Sequence, residues 1–377
     1  MSHRVSLLGA ADYRRLTVEH AMAALLQPLG GIAAFVTPGQ KVLLKPNMLA
    51  GKEPERAVTT HPEIVFAVIR QVQAAGGIVS VGDSPGVGKA HSVAEKCGIM
   101  AVIEETGATF APFAESVPVH IRSGTFHQLE IAKDILDADV IINLPKLKTH
   151  QMMGLTCAVK NLFGAIVGMR KPQLHLQAGT DKAFFALMLL ELAERVAPAL
   201  TIVDAITAME GDGPGGGDPV HLGAILAGRS PIAVDTVATE LVGMHLPQVW
   251  TQKLARDTGR PLTDLSEIEL LGPPPATLRP PSFRPSKSTD VNFGLPGFLQ
   301  RPLKNALTAR PRPNHQRCIR CGLCVEHCPP QAMTIVEQRL KIDYARCIRC
   351  FCCQELCPHQ ALETQQGLLL KLHQLLR

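Results

Sequence analysis

At 377 residues, with 46% hydrophobic and 19% charged side chains, the chain has the composition of a globular protein of two or three domains, not of a disordered one. A net charge of +5 suits anionic small molecules or an acidic protein partner, and with aromatics at only 4% it falls short of a nucleic-acid-binding signature. The start, MSHRVSLLGAADYRR, lacks an export-signal pattern, and the longest uncharged apolar run, Ala183 to Leu190, is too short to span a bilayer, so a cytoplasmic location is expected.

Up to about residue 272, short β-branched runs alternate with helical stretches. KVLLKPNM (41–48) reads as a strand and 61–75 as an amphipathic helix. GIVSVGDS (77–84), ADVIINLP (138–145) and ALTIVDAI (199–206) read as further strands, with helices expected at 155–168, at 182–197 and after Pro231. This alternation predicts an α/β fold with a mostly parallel sheet and helices on both faces. Ligands of such sheets bind in the crevice beyond the strand C-terminal ends, which directs attention to the residues that follow each strand.

VGDSPGVGKAHS (81–92) follows a strand but is not a phosphate-binding P-loop: Gly82 to Gly88 is one residue too long, and Ala90 follows Lys89. Gly82-Asp83-Ser84-Pro85-Gly86 matches the spacing of a nucleophile elbow, yet Pro85 has no N–H to offer an oxyanion. The remaining readings are a polar strand-end loop with Asp83 and Ser84 as substrate contacts and, as the alternative, a plain turn. NLPKLKTH (143–150) closes a very apolar strand and places Lys146, Lys148, Thr149 and His150 at its end. Lys160 and Asn161 follow, then Arg170, Lys171 and His175. Several cations in an otherwise apolar stretch need an anionic companion, so the expected substrate is a small anion. AMEGDGPGGGDPVHLG (208–223) reads as a glycine-rich loop that can approach a ligand closely, with Glu210 as a contact. Asp235, near a helix start, is either a cap or an inward-facing carboxylate.

From residue 273 the composition changes. Dense proline through 313 marks an extended linker or a strap laid over a surface. A cysteine module at 314–366 follows, and the tail 367–377 has leucines at helical spacing. That tail reads as a helix docked on its own protein, with a membrane-surface or partner contact as the alternative. Nine of the eleven cysteines fall between Cys318 and Cys357, a crowding that points to metal binding and not to disulfides. The module is an internal repeat: CIRCGLCVEHCPPQAMTIVE (318–337) aligns without a gap on CIRCFCCQELCPHQALETQQ (347–366). Each half contains C-x2-C-x2-C-x3-C-P, and Cys352 aligns with Leu323, which makes it a small apolar filler.

The repeat resembles the two-[4Fe-4S] bacterial ferredoxins, in which the fourth cysteine of each half ligates the other cluster. That resemblance implies two [4Fe-4S] clusters, one on Cys318, Cys321, Cys324 and Cys357 and the other on Cys347, Cys350, Cys353 and Cys328. PKLKTH, VKNLFG (159–164), His175, MEGDGP and the AVD of 233–235 resemble the bacterial and archaeal domain-of-unknown-function family 362, whose members often carry such a module. The functional expectation is an iron–sulfur oxidoreductase fed by a redox partner protein or a low-potential reductant. In it Lys146, Lys148 and Lys160 clamp an anionic substrate or cofactor, and His150 or His175 supplies a proton. The alternative is an electron-transfer or accessory protein whose large domain binds a partner. No motif demands a flavin or another organic cofactor.

Overall fold

Val42, Leu43 and Leu44 are all fully buried, which requires a strand covered on both faces. The computed structural model describes residues 3–120, 124–168, 170–287 and 308–368. Its strands in chain order are β1 (Arg4–Gly9), β2 (Lys41–Pro46), β3 (Ile78–Val81), β4 (Thr109–Phe110), β5 (Ser116–His120) and β6 (Gln128–Ala132). They continue with β7 (Val140–Leu144), β8 (Lys146–His150), β9 (Gly154–Thr156), β10 (Leu200–Glu210), β11 (Asp218–Gly228) and β12 (Glu269–Leu271). The cysteine module adds β13 (Ala309–Pro313), β14 (Met333–Val336), β15 (Arg339–Ile342) and β16 (Leu362–Gln366).

One ten-stranded sheet runs in the order β12-β1-β11-β10-β7-β2-β3-β4, with β8 beside β10 and β9 beside β8. The β10–β7–β2–β3–β4 stretch is wholly parallel, whereas β11 is antiparallel to both of its neighbours. Successive residues of each strand face opposite sides, and the cores divide accordingly. Val42 and Leu44 of β2 and Val140 and Ile142 of β7 pack with the helices Arg15–Leu26 and Pro62–Ala74. Leu43 and Ile141 pack on the other face with the helix Lys182–Val196. The fold is therefore α/β, with a mostly parallel sheet and helices on both faces, as the alternation of strands and helices predicts.

Three local expectations need correction. Residues 146–150 do not simply follow a strand: Pro145 ends β7, and they form a strand of their own, β8, which continues along β10. The stretch 155–168 is not one helix but β9, a single turn Ala158–Asn161 and a 3-10 turn Leu162–Ala165. Residues 208–223 are a hairpin joining β10 to β11, not an open loop, with Glu210 opposite Asp218 in the register.

The proline-rich segment lies along the large domain as far as it is described. Arg284 is held by Glu210 at 2.6 Å and by Asp218 at 2.6 Å. Residues 288–307 of the expected linker lie outside the described residues, as do 369–377 of the expected amphipathic tail. Ala309–Pro313, read as linker from its prolines, instead forms β13 antiparallel to β16. Proline is tolerated there because a two-stranded ladder has an open edge where no N–H is required. The module's other ladder is the hairpin β14–β15. Among the described residues no helix is long and apolar enough to cross a membrane.

Candidate functional site

Where the C-terminal ends of β2, β3 and β8 meet the cysteine module, a cavity of about 210 Å³ opens between them. The large domain contributes Asn47, Asp83, Ser84, Lys148, His150, Lys160, Asn161, Lys171 and His175, and the module closes the far side with His327, Cys352, Glu355 and Leu356. Seven of the large-domain side chains expected at the site therefore do converge: Asp83, Ser84, Lys148, His150, Lys160, Asn161 and His175.

Each of these residues is fixed by its element. Asp83 follows β3; one of its oxygens pairs with buried Lys45 at 2.8 Å and the other accepts from the Met48 N–H at 2.9 Å. That pair needs a glycine beside it, because a Cβ at Gly164 would collide with Oδ1 of Asp83 and Nζ of Lys45. Ser84 accepts from Lys171 at 3.0 Å and from the Gly168 N–H at 3.2 Å. Lys148, on the inward face of β8, donates to Asn47 Oδ1 at 2.8 Å and to the Val58 carbonyl at 2.7 Å. Asn47 in turn donates to Asn161, which donates to Asn143, so a chain of amides ties β2, β7 and the Ala158–Asn161 turn together.

The electrostatics are unusual. Burial lowers the Lys148 ammonium to about 7, and burial likewise lowers Lys171 to about 7. Lys160 is also pushed down by burial and makes no hydrogen bond among the described residues. It sits 4.6 Å from the Phe163 ring centroid and 5.9 Å from that of Phe185. Against these cations stands one acid from the module, Glu355. Burial raises its pKa, but His150, Lys160 and His175 outweigh that effect and hold it at about 2. Its Oε1 lies 3.2 Å from His150 Nε2.

The two histidines differ from the expected proton donors. His150 Nδ1 accepts the N–H groups of Met152 and Met153, each at 3.1 Å, so the ring proton is on Nε2, the nitrogen 3.2 Å from Glu355 Oε1. Burial lowers His150 and brings His175 to about 3. Both rings are neutral at pH 7, and a neutral imidazole donates a hydrogen bond far more readily than a proton. His175 stacks on Phe185 with centroids 4.2 Å apart. Its Nδ1 and the Thr156 hydroxyl are buried polar atoms of the cavity lining without a partner among the described residues, the kind of group that a ligand or ordered water satisfies.

Four expected contacts are not brought to the cavity. Lys146, also on β8, is committed to a buried pair with Asp204 at 2.7 Å and to the Tyr13 hydroxyl at 2.9 Å. Thr149 points away from the lining, its chain packed so closely on the 211–217 turn that a Cβ at Gly213 would strike the Thr149 carbonyl. Glu210 holds Arg284 of the strap. Asp235 accepts from the N–H groups of Ala158 at 2.6 Å and Val159 at 3.1 Å, so it anchors the turn that presents Lys160 and Asn161; burial raises its carboxyl to about 6.

In the module, Cys318, Cys321, Cys324 and Cys357 line one cavity. Burial, with Cys350 and Cys347 close by, pushes the Cys328 thiol up. Among the described residues no group of three or more His, Cys, Asp or Glu is spaced for a single metal ion. The thiols instead fit a cluster. Arg320, Gly322 and Gln331 have positive φ in the first half, and their repeat equivalents Arg349, Phe351 and Gln360 have it in the second. These turns wrap each loop, and the N–H groups of Ala332 and Ala361 reach Cys328 and Cys357 sulfur at 3.3 and 3.2 Å. Cys352 is buried as an apolar filler would be, yet it also lines the cavity.

Sequence reasoning missed Glu355, Cys352, Asn47 and Thr156 as parts of the site. For Glu355 the repeat offered no signal, since its equivalent Glu326 is exposed on the module's outer side.

The chain is 38% identical over 306 residues, 81% of its length, to a thylakoid-associated protein of Synechocystis sp., of which it covers 95%. Among solved structures it resembles the lactate racemase apoprotein from Thermoanaerobacterium thermosaccharolyticum, with TM-score 0.41, 13% identity, 64% of this chain and 57% of that one covered. A Thermotoga maritima protein gives TM-score 0.35 and 13% identity, with 56% of this chain and 55% of that one covered. The model of a domain of unknown function, DUF362, matches residues 42–240, and that of a 4Fe-4S dicluster domain matches 317–361. With this domain spanning the cavity's cationic wall and that relative spanning most of the chain, the protein belongs to the DUF362 family, in a form that carries a C-terminal 4Fe-4S domain.

Proposed function

We propose that the chain is an iron–sulfur oxidoreductase whose α/β domain holds a small anionic substrate or cofactor in the cavity against the cysteine module. The ligand sets of the two clusters are Cys318, Cys321, Cys324 and Cys357, and Cys347, Cys350, Cys353 and Cys328. When bound, such clusters supply one-electron transfer. Electrons enter from a redox partner protein or a low-potential reductant.

The observation that carries this reading is the composition of the cavity's two walls. Lys148, Lys160 and Lys171 come from the large domain, and Cys352 and Glu355 come from the short helix Cys352–Leu356 between the cysteines Cys350 and Cys357. An anion held there is within the same enclosure as the cysteine loop. Lys160, without a hydrogen-bond partner among the described residues, is the group most available to it. His150 offers its Nε2 proton as a hydrogen bond, and Thr156 and His175 supply further polar contacts. Lys148 and Lys171, lowered to about 7, are the side chains best placed to exchange a proton near neutral pH.

Mass spectrometry of small molecules released from anaerobically purified, iron-loaded protein tests the reading. A stoichiometric anion is expected from the unaltered chain and is lost from Lys160→Ala at equal iron content. Equal retention by Lys160→Ala would refute the anion site.

A further inference from the structure

Glu355 is an acid supplied by one domain to a cavity that the other domain lines with Lys148, Lys160, Lys171, His150 and His175 and with one carboxylate, Asp83, already paired with Lys45. The Glu355 carboxylate lies 3.2 Å from His150 Nε2. No backbone N–H and no arginine fork holds that carboxylate among the described residues, in contrast to Asp83, Asp204 and Asp235, each of which accepts from at least one backbone N–H. Glu355 also lines a second cavity, of about 190 Å³, on the outer side of the module contact. The wall of that outer cavity carries Lys52 and Lys96. Glu355 therefore stands between two basic compartments, with Gly88 and Leu356 also shared by both.

Resting on the reading of the inner cavity as an anion site, we propose that Glu355 is a tethered stand-in for the ligand, and that the natural ligand is a carboxylate. The ligand's carboxylate takes the place of the Glu355 carboxylate opposite His150 and Lys160, and Glu355 turns into the outer cavity toward Lys52 and Lys96. Three features favour a carboxylate. The cavity already accommodates one with its charge balanced. Its donors are single and spread over Lys160, His150 and Lys148, not gathered as a nest of backbone N–H groups of the kind that cradles phosphate. The displaced side chain has a basic compartment to enter, so its charge is not left buried and unpaired. Because the competing carboxylate belongs to the cysteine module, ligand binding and the module's seating on the α/β domain are coupled through one side chain.

Competition by a tethered group lowers apparent affinity by the fraction of time the site is free, so a group that fills the site nine-tenths of the time weakens binding about tenfold. The test is titration calorimetry of acetate, and separately of inorganic phosphate, into the full iron-loaded chain and into Glu355→Ala and Glu355→Gln at equal iron content. About tenfold tighter acetate binding by Glu355→Ala, with a smaller gain for phosphate and loss of the gain in Glu355→Ala/Lys160→Ala, is the expected result. Should Glu355→Ala not load iron, Glu355→Gln, which keeps the shape and removes the charge, carries the same expectation. Equal acetate affinity in the unaltered and variant chains overturns the stand-in role while leaving the anion site intact. An equal gain for phosphate overturns the carboxylate assignment. Absence of acetate and phosphate binding from every chain overturns the anion site itself, and this inference with it.

Discussion

Lys146 and Lys148 are two residues apart on β8 and both fully buried, yet they have different partners. Lys146 is neutralised by Asp204 within the protein, whereas among the described residues Lys148 has only neutral oxygens as hydrogen-bond partners. Removing one partner of a buried ion pair leaves the other charge unpaired, at a cost of about 3–5 kcal/mol. Lys146→Ala is therefore expected to lower stability by that amount in denaturant unfolding while leaving ligand retention per folded molecule unchanged. Lys160→Ala should do the opposite, since among the described residues no hydrogen bond or ion pair is lost with it. The depressed lysines also set a pH dependence. With Lys148 and Lys171 at about 7, their charge is present below that pH and lost above it. The groups acting on them include Asp83 and Glu355, which favour the charge, and Lys45, Lys146 and Lys160, which oppose it. Anion affinity, followed by calorimetry, should fall as pH rises from 6 to 8, approaching about tenfold per pH unit for each lysine that must be charged. A flat profile would show that neither lysine's charge is used.

The elements around the site are short, and they are held by side chains far away in sequence. The Ala158–Asn161 turn carries Lys160 and Asn161, and its first N–H groups are satisfied by Asp235 from the helix Pro231–Leu241. Asp235→Ala strands two buried donors, a loss of about 1–3 kcal/mol for each such group. Both unfolding free energy and anion affinity are expected to drop, and Asp235→Asn, which keeps one acceptor, should recover part of each. A variant that lost stability but kept full affinity would mean that the turn does not depend on its anchor. The central strands β7 and β10 were legible from their apolar runs, and so was the parallel α/β class. The short pieces were not: β8 is basic, β9 has three residues, and the turn after it has four. Periodicity needs several repeats before it separates helix from strand, so such pieces are decided by tertiary contacts.

At the scale of the molecule, the cysteine module is both a cluster carrier and a wall of the cavity. Cys352→Ser should retain the iron of the unaltered protein, whereas Cys353→Ser should lose about half of it, because only the latter removes a ligand from the C-x2-C-x2-C rhythm. Iron analysis with electron paramagnetic resonance of the dithionite-reduced protein distinguishes them, and the reverse pattern would reassign the ligand. Cys352→Ser is nonetheless placed to change ligand affinity, since that thiol lines the cavity. The amino-acid sequence by itself determined the module, because cluster ligation depends on local cysteine spacing and the repeat exposes Cys352 as the odd member. It also determined the sheet class and the set of basic residues near the site, because burial on both faces leaves a continuous apolar signature. Tertiary structure alone decided which of those residues face the cavity. Lys146 turned out to be paired internally, and Glu210 and Asp235 serve as structural anchors, because each met a partner at least 58 residues away in sequence. Glu355 and its repeat equivalent Glu326 are the same residue type in the same local motif. Docking places one of them in the cavity and leaves the other in solvent, and local sequence carries no record of which face of a symmetric repeat is covered.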